Sequence, residues 1–396
     1  MTEPNEADRL TAEPDTDRST GLLPSQMLRE AVALGREIRS PQPIADAQIQ
    51  PASIDLRLAE VGYRVRASFL PGPRASVRDK LELLSMHRVD LTRGAVLEKD
   101  CVYIVPLIES LALRSRTAAL ANPKSSIGRL DVFARVITDH GIEFDRVREG
   151  YKGPLYAEIS PRSFSILART GSSLVQLRIR RGSPSFSDAA LRRLHDEVGL
   201  VETPDRAARE SLGRGAIRDG LAFTVDVAGG QAGGIVGYKA RRHTDLVDVD
   251  RVQHYDPRDF WEPVHAHRGP GSAGGLVLDP HDFYILASRE AVVVPPDHAA
   301  EMLPYHTLVG EFRVHFAGFF DPGFGTSETG GSGSRAVLEV RSHEVPFLIE
   351  DGQVLGRLVY ERLIARPDKL YGRAIGSSYQ RQGLALSKHF REFRSP

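Results

Sequence analysis

The chain has 396 residues, 41% hydrophobic and 26% charged, which excludes a wholly disordered, collagenous or coiled-coil protein and leaves room for two or three domains. The 52 Lys plus Arg balance 52 Asp plus Glu, so no overall field steers the chain toward nucleic acid or an acidic membrane, and neither is expected as a partner. Cys101 is the only cysteine, which excludes an intrachain disulfide, a thiolate zinc cage and an iron–sulfur site, and fits a reducing cytoplasm.

In chain order, residues 1–20 are acidic and polar, with no apolar signal-peptide core, and read as a mobile tail. Nowhere do the ~18 consecutive apolar residues of a membrane span occur. An amphipathic helix is expected after a Ser25 cap, carrying Met27, Leu28, Ala31, Val32 and Leu34 on one face. Short β-branched runs then alternate with Gly, Pro, Asp and Asn: YIVPL, FARVI and SLVQLRI. Near residues 181–187, RGSPSFS breaks the apolar pattern. A second helix follows a Ser187 cap with Ala190, Leu191, Leu194 and Val198, and further strands follow in FYILA, AVVVPP, FRVHF, AVLEV and VLGRLVY. The Gly/Ser-rich run 325–334 reads as a solvated loop or as a flap beside a site.

The two halves repeat one another. Val96, Leu97, Tyr103, Ile104, Glu109, Ala118, Ala119 and Pro123 recur, without a gap and at an offset of 181, as Val277, Leu278, Tyr284, Ile285, Glu290, Ala299, Ala300 and Pro304. The same offset carries Glu158 onto Glu339. Many short strands at turn-like spacing suggest a sandwich or barrel, with helices confined to the start of each half. Two β domains are therefore expected, at 21–183 and 184–396.

Two segments, IQPASIDLRL (Ile49 to Leu58) and NPKSSIGRLDV (Asn122 to Val132), resemble signature motifs of the dCTP deaminases, relatives of the trimeric dUTPases. Ser125, Ser126 and Arg129 match the S-S-x-x-R motif of that family in the first half only. In the second half only, Ala317, Gly318, Asp321, Pro322, Gly323 and Phe324 match its hairpin, which leads to Leu338-Glu339. Tyr371, Gln382 and Gly383 match its C-terminal segment. The resemblance spans about Gly21 to Leu384 and is to the long tandem form.

It implies a mainly β architecture of two tandem dUTPase-like distorted β-barrel or jelly-roll domains, each with a short N-terminal helix. It also implies hydrolytic deamination of dCTP to dUTP and ammonia without a zinc-activated water. A buried glutamate would be the general base, and both Glu158 in LYAEI and Glu339 in VLEV have an apolar strand setting. In the family the S-S-x-x-R residues come from one domain and the hairpin and glutamate from its neighbour. The expected composite site pairs Ser125, Ser126 and Arg129 with Asp321 and Glu339; the rival pairing uses Glu158.

By the same resemblance Ser125 binds the water or base, Ser126 assists phosphate binding, Lys124 belongs to the substrate-binding residues, and Arg129 supplies a forked cation near the reacting base and the phosphates. Ala317 and Gly318 present backbone to the pyrimidine, Asp321 meets the 3′-hydroxyl, and Tyr371 and Gln382 close over the nucleotide. Ser378 stands where the family has lysine, so Arg373 or Arg381 is expected to meet that phosphate. Magnesium would ride on the triphosphate. A homo-oligomer is expected. Two alternatives stay open: a dUTPase or bifunctional enzyme releasing dUMP and pyrophosphate, and a non-catalytic nucleotide-binding protein. His265 and His267 share a strand face without an evident third metal ligand, and Trp261 reads as core.

Overall fold

The β-branched runs of each half form two antiparallel sheets laid face to face, because their alternate side chains can leave water only against one another. The computed structural model describes residues 20–202, 216–229, 234–266, 274–304, 312–315, 318–342, 344–372 and 383–393. The expected tail therefore lies, but for Thr20, outside the described residues.

In the first half, one sheet runs Ser85–Asp90, Val61–Val65, Val102–Ala112, Lys152–Pro161, Val132–Thr138. The other runs Gly21–Leu22, Val175–Arg181, Thr117–Pro123, Arg146–Val147. Val105, Ala157 and Ile159 from the first sheet pack with Ala119, Leu177 and Ile179 from the second. The second half repeats this order. Trp261–His265, Ile235–Ala240, Phe283–Val292, Ser334–Ser342 and Phe312–His315 make one sheet, and Leu221–Thr224, Val354–Arg362, His298–Pro304 and Phe319–Phe320 the other. Leu286, Leu338 and Val340 meet Phe223, Met302 and Leu358 in its core.

The two halves share structure as well as plan. Strand Ile166–Ala168 pairs in parallel with Val247–Asp248 of the second half. Phe164 packs edge-on against Phe260 and Trp261, with ring centroids 5.6 and 5.3 Å apart. Trp261 is thus core, in a cluster that continues from the first half into the second.

Helix expectations divide. Ser187 caps helix Asp188–Val198 by accepting from the Ala190 N–H at 3.3 Å. Ser25 does not cap: Pro24 is the N-cap of helix Ser25–Ala33, and the Ser25 hydroxyl bonds Asp368 instead. A tertiary partner has taken the oxygen that the local pattern assigns to the backbone. Nor are helices confined to the start of each half, since Val77–Leu84 lies mid-domain behind a capping box. There the Ser76 Oγ accepts from Asp79 N at 3.1 Å and Asp79 Oδ2 from Ser76 N at 2.7 Å. Ser76→Ala is expected to cost about 1 kcal/mol in a urea titration; an unchanged midpoint would show that tertiary packing alone holds this helix.

Run 325–334 is not an open loop. The Thr326 and Thr329 hydroxyls donate to Gly323 O at 3.0 and 2.7 Å, and Gly331 N and Gly333 N return to Thr326 O and Gly325 O at 2.7 and 2.9 Å.

Candidate functional site at the domain seam

Strand Ser334–Ser342 is buried on both faces. Alternation puts Leu338 and Val340 into the second-half core, while Val337 joins the first-half cluster. Glu339 therefore points across the seam, and what it meets is the S-S-x-x-R turn. That turn is a single helical turn, Ser125–Gly128, with Lys124 as N-cap and Arg129 as C-cap. A Cβ placed on Gly128 would lie 2.9 and 3.0 Å from the two carboxyl oxygens of Glu339. Arg129 is 3% exposed, and its Nη1 donates to Ala385 O at 3.1 Å.

Burial pushes the Glu339 carboxyl well above its ordinary pKa; Arg129 opposes that rise, and the nearby Asp131 carboxylate adds to it. Among the described residues no ion pair ties the carboxylate down. A buried acid with competing influences of both signs, beside a half-buried Ser125 and a buried Ser126, is suited to taking and returning a proton.

Glu158 occupies the matching register position but not a matching environment. It accepts from Ser68 Oγ at 2.7 Å and pairs with Arg135 Nη2 at 2.5 Å. Its side of the sheet is covered from within the first half, where Ile104 and Ile137 pack with Val77 and Leu81 of helix Val77–Leu84. No opposing domain can reach that face without displacing this cover. The structure brings Glu339, not Glu158, to Arg129.

Asp321 also lies at the seam. Arg178, from the first half and 1% exposed, donates to Asp321 Oδ1 at 3.0 Å, to Phe320 O at 2.9 Å and to Ala300 O at 2.9 Å. The Asp321 charge is felt at Asp55, whose own pKa is raised chiefly by burial and which pairs with Lys124. Lys124 thus pairs with a buried acid beside the seam. On the far side of Glu339, buried Arg341 pairs with buried Asp131 of the first half, which also accepts from Ser163 Oγ at 2.7 Å. Two buried ion pairs, Arg178–Asp321 and Arg341–Asp131, therefore cross between the halves and fix the register of the seam; breaking either by removing one partner strands a charge, at about 3–5 kcal/mol.

Tyr371 packs its ring 5.5 Å from Phe324, and its N–H donates to Pro322 O at 2.8 Å, so it reaches the hairpin. Gly318 O accepts from Met302 N at 3.0 Å. Ala317, Ser378, Gln382, Arg373 and Arg381 lie outside the described residues, as does His267. His265 is exposed, and among the described residues no group of three His, Cys, Asp or Glu is placed to hold a metal.

Sequence reasoning missed Arg178, although a lone arginine inside the apolar run SLVQLRI signals a specific buried partner. It also missed the C-terminal support under the motif turn. There Ser387 Oγ donates to Ser126 O at 2.7 Å, and His389, its pKa lowered to about 4 chiefly by burial, lies 2.9 Å from Val249 O.

The absence of the motif from the first half implies that its hairpin is lost, but the structure keeps it. Its sequence TDHGIEFDRVREGYKG departs from the motif, yet the turn is present further along. Val147 pairs with Ala119 as Phe320 pairs with Ala300. Leu113 N bonds Tyr151 O at 2.8 Å as Val294 N bonds Phe324 O at 2.9 Å. Gly150 and Gly323 both adopt left-handed φ, 66° and 92°. Residues 147–151 thus take the places of 320–324, and Arg148 stands where the second half has Asp321.

Gly128 offers a local test. Its helical backbone suits alanine, but the added methyl would displace the Glu339 carboxyl. Gly128→Ala is expected to leave the thermal midpoint within a few degrees while turnover falls at least tenfold; equal turnover would mean that the position of this acid is irrelevant.

A buried acid of one copy held against the S-S-x-x-R turn of the other defines a duplicated β-domain protein with a candidate site at its seam. Residues 19–183 match the family described as 2'-deoxycytidine 5'-triphosphate deaminase (DCD) N-terminal domain, and residues 187–390 match the corresponding C-terminal domain. The fold is similar to the crystal structure of 2'-deoxycytidine 5'-triphosphate deaminase from Agrobacterium tumefaciens. That likeness has a TM-score of 0.79 and 51% identity, covering 89% of this chain and 100% of that one. Two proteins named dCTP deaminase, dUMP-forming, are also similar. The Nocardia farcinica protein is 29% identical over 38% of this chain and 74% of its own; the Parafrankia protein is 31% identical over 36% and 70%. The chain belongs to the 2'-deoxycytidine 5'-triphosphate deaminase family, in its long form with both domains in tandem.

Proposed function

We propose that this enzyme deaminates dCTP at C4 to give dUTP and ammonia, in one composite site at the seam, with Glu339 as the base. Water adds to C4 as Glu339 takes its proton. That proton passes to N3; Glu339 then carries the C4 hydroxyl proton to the exocyclic nitrogen, the C4–N bond breaks, and ammonia leaves as the C4 carbonyl forms. Arg129 and Ser125 hold the water and the base edge, Ser126 contributes to phosphate binding, and Asp321, oriented by Arg178, accepts from the sugar 3′-hydroxyl. Gly318 with Ala317 lines the pyrimidine, and Tyr371, Ser378 and Gln382 belong to the segment that closes over the nucleotide. Lys124 acts through its pair with Asp55. Magnesium, carried by phosphate oxygens and water, would offset the triphosphate charge.

The observation that carries this reading is the Glu339 carboxyl, buried and lying against Gly128 beside Arg129. Incubation with dCTP and magnesium tests it: ammonia and dUTP are expected in equal amounts. Nucleotide binding with no ammonia would overturn it. A second reading, onward hydrolysis to dUMP, is favoured by the similarity to the dUMP-forming dCTP deaminases of Nocardia and Parafrankia. Pyrophosphate released in step with ammonia would establish it.

A further inference from the structure

The hairpin of the first half has kept its backbone and reversed its charge, and it borders a cavity of about 700 Å³. That is within the ~300–1,000 Å³ range of small-molecule sites. Arg146, Arg148 and Arg180 line it together with Thr138 and His140, and Ala118 and Ala119 occupy the part equivalent to Ala299 and Ala300. We propose that this cavity is a second, anion-binding site that takes a polyphosphate group, separate from the seam at Glu339.

The cations of the two hairpins differ in how far they are already engaged. In the second half, Asp321 is matched by Arg178 entering from the other domain. Its counterpart Arg148 is exposed, and among the described residues its side chain makes no hydrogen bond or ion pair. Arg146 is only loosely held, 3.4 Å from Glu143, and Arg180 lies 3.6 Å from Glu361. Glu143 and Glu149 also line the cavity and Glu361 lies beside Arg180, so carboxylates offset part of this charge, and Arg148 is the guanidinium of the lining with no carboxylate partner among the described residues.

An aspartate at this corner accepts from a sugar hydroxyl. An arginine there donates in a planar fork to oxyanions, so the pocket selects phosphate rather than nucleoside. The two copies have diverged at one structural position, one recognising a neutral hydroxyl and the other an anion. Whether the polyphosphate is inorganic or carried on a nucleotide is a question of source, because the same guanidinium groups bind both. The inference does not depend on the proposed deamination.

Calorimetric titration of the full chain with inorganic tripolyphosphate, and separately with dUTP, tests it in the wild type, Arg148→Asp and Arg129→Gln. Arg148→Asp is expected to weaken tripolyphosphate at one class of site at least tenfold, and Arg129→Gln to leave that class unchanged. If dUTP binds this class more tightly than tripolyphosphate, the natural ligand is a nucleotide; if not, it is the polyphosphate itself. Should Arg148→Asp fail to fold, Arg146→Gln carries the same expected loss. An isotherm for the charge-altered cavity that superimposes on the wild type, or a loss confined to Arg129→Gln, overturns the proposal.

Discussion

Glu339→Gln lowers kcat for dCTP deamination by a factor of about 10²–10⁴, the usual worth of a positioned general base, with KM little changed. Glutamine keeps the shape and the contact with Gly128 but has no basic oxygen. Glu158→Gln does the opposite. Its carboxylate holds Ser68 and Arg135, so the change costs about 1.5–3 kcal/mol of stability and leaves the rate within a few fold. Steady-state ammonia release together with urea unfolding of both variants checks the pair; a dead Glu158→Gln with an active Glu339→Gln would refute the composite site.

The same substitution has a signature in stability against pH. The folded pKa of Glu339 lies well above the ordinary 4.5, so between these two values the native state holds a proton that the unfolded chain has released. Stability from this group is present below the ordinary carboxyl range and is lost as pH rises through the folded pKa, at up to about 1.4 kcal/mol per pH unit. Glu339→Gln removes that slope, so the variant is at least as stable as the wild type at the alkaline end. Subtracting the two urea midpoints from pH 5 to 8 isolates this group from every other carboxylate.

Arg129→Gln is expected to cut kcat/KM at neutral pH by at least about 10²-fold. The acid limb of its pH profile should also move to higher pH, because Arg129 is the cation that opposes the upward push on Glu339. The loss of the bond to Ala385 O lowers stability as well, by about 1–3 kcal/mol. Stability loss alone leaves the acid limb where it was. An unmoved limb in a folded Arg129→Gln would therefore show that this guanidinium does not act on the base.

The duplication, the strand content and the order of the motifs were all legible in the sequence, because they depend on local patterns: β-branched runs, turn residues and a fixed register between copies. Ser187 behaved as its local pattern required. Ser25 did not, because Asp368, 343 residues further on, offered its hydroxyl a better partner than the helix end did.

The choice between Glu158 and Glu339 belonged to the tertiary structure alone. Both sit at one register position in an apolar strand, and alternation fixes only the side of the sheet they face, not what covers it. Helix Val77–Leu84, Ser68 and Arg135 close over Glu158 from within its own half, whereas the far domain delivers Gly128 and Arg129 to Glu339. Arg178 and Asp321 meet across 143 residues for the same reason. Periodicity records how a strand presents a side chain to its surroundings; a partner from another domain is supplied by packing, which leaves no local trace in the chain.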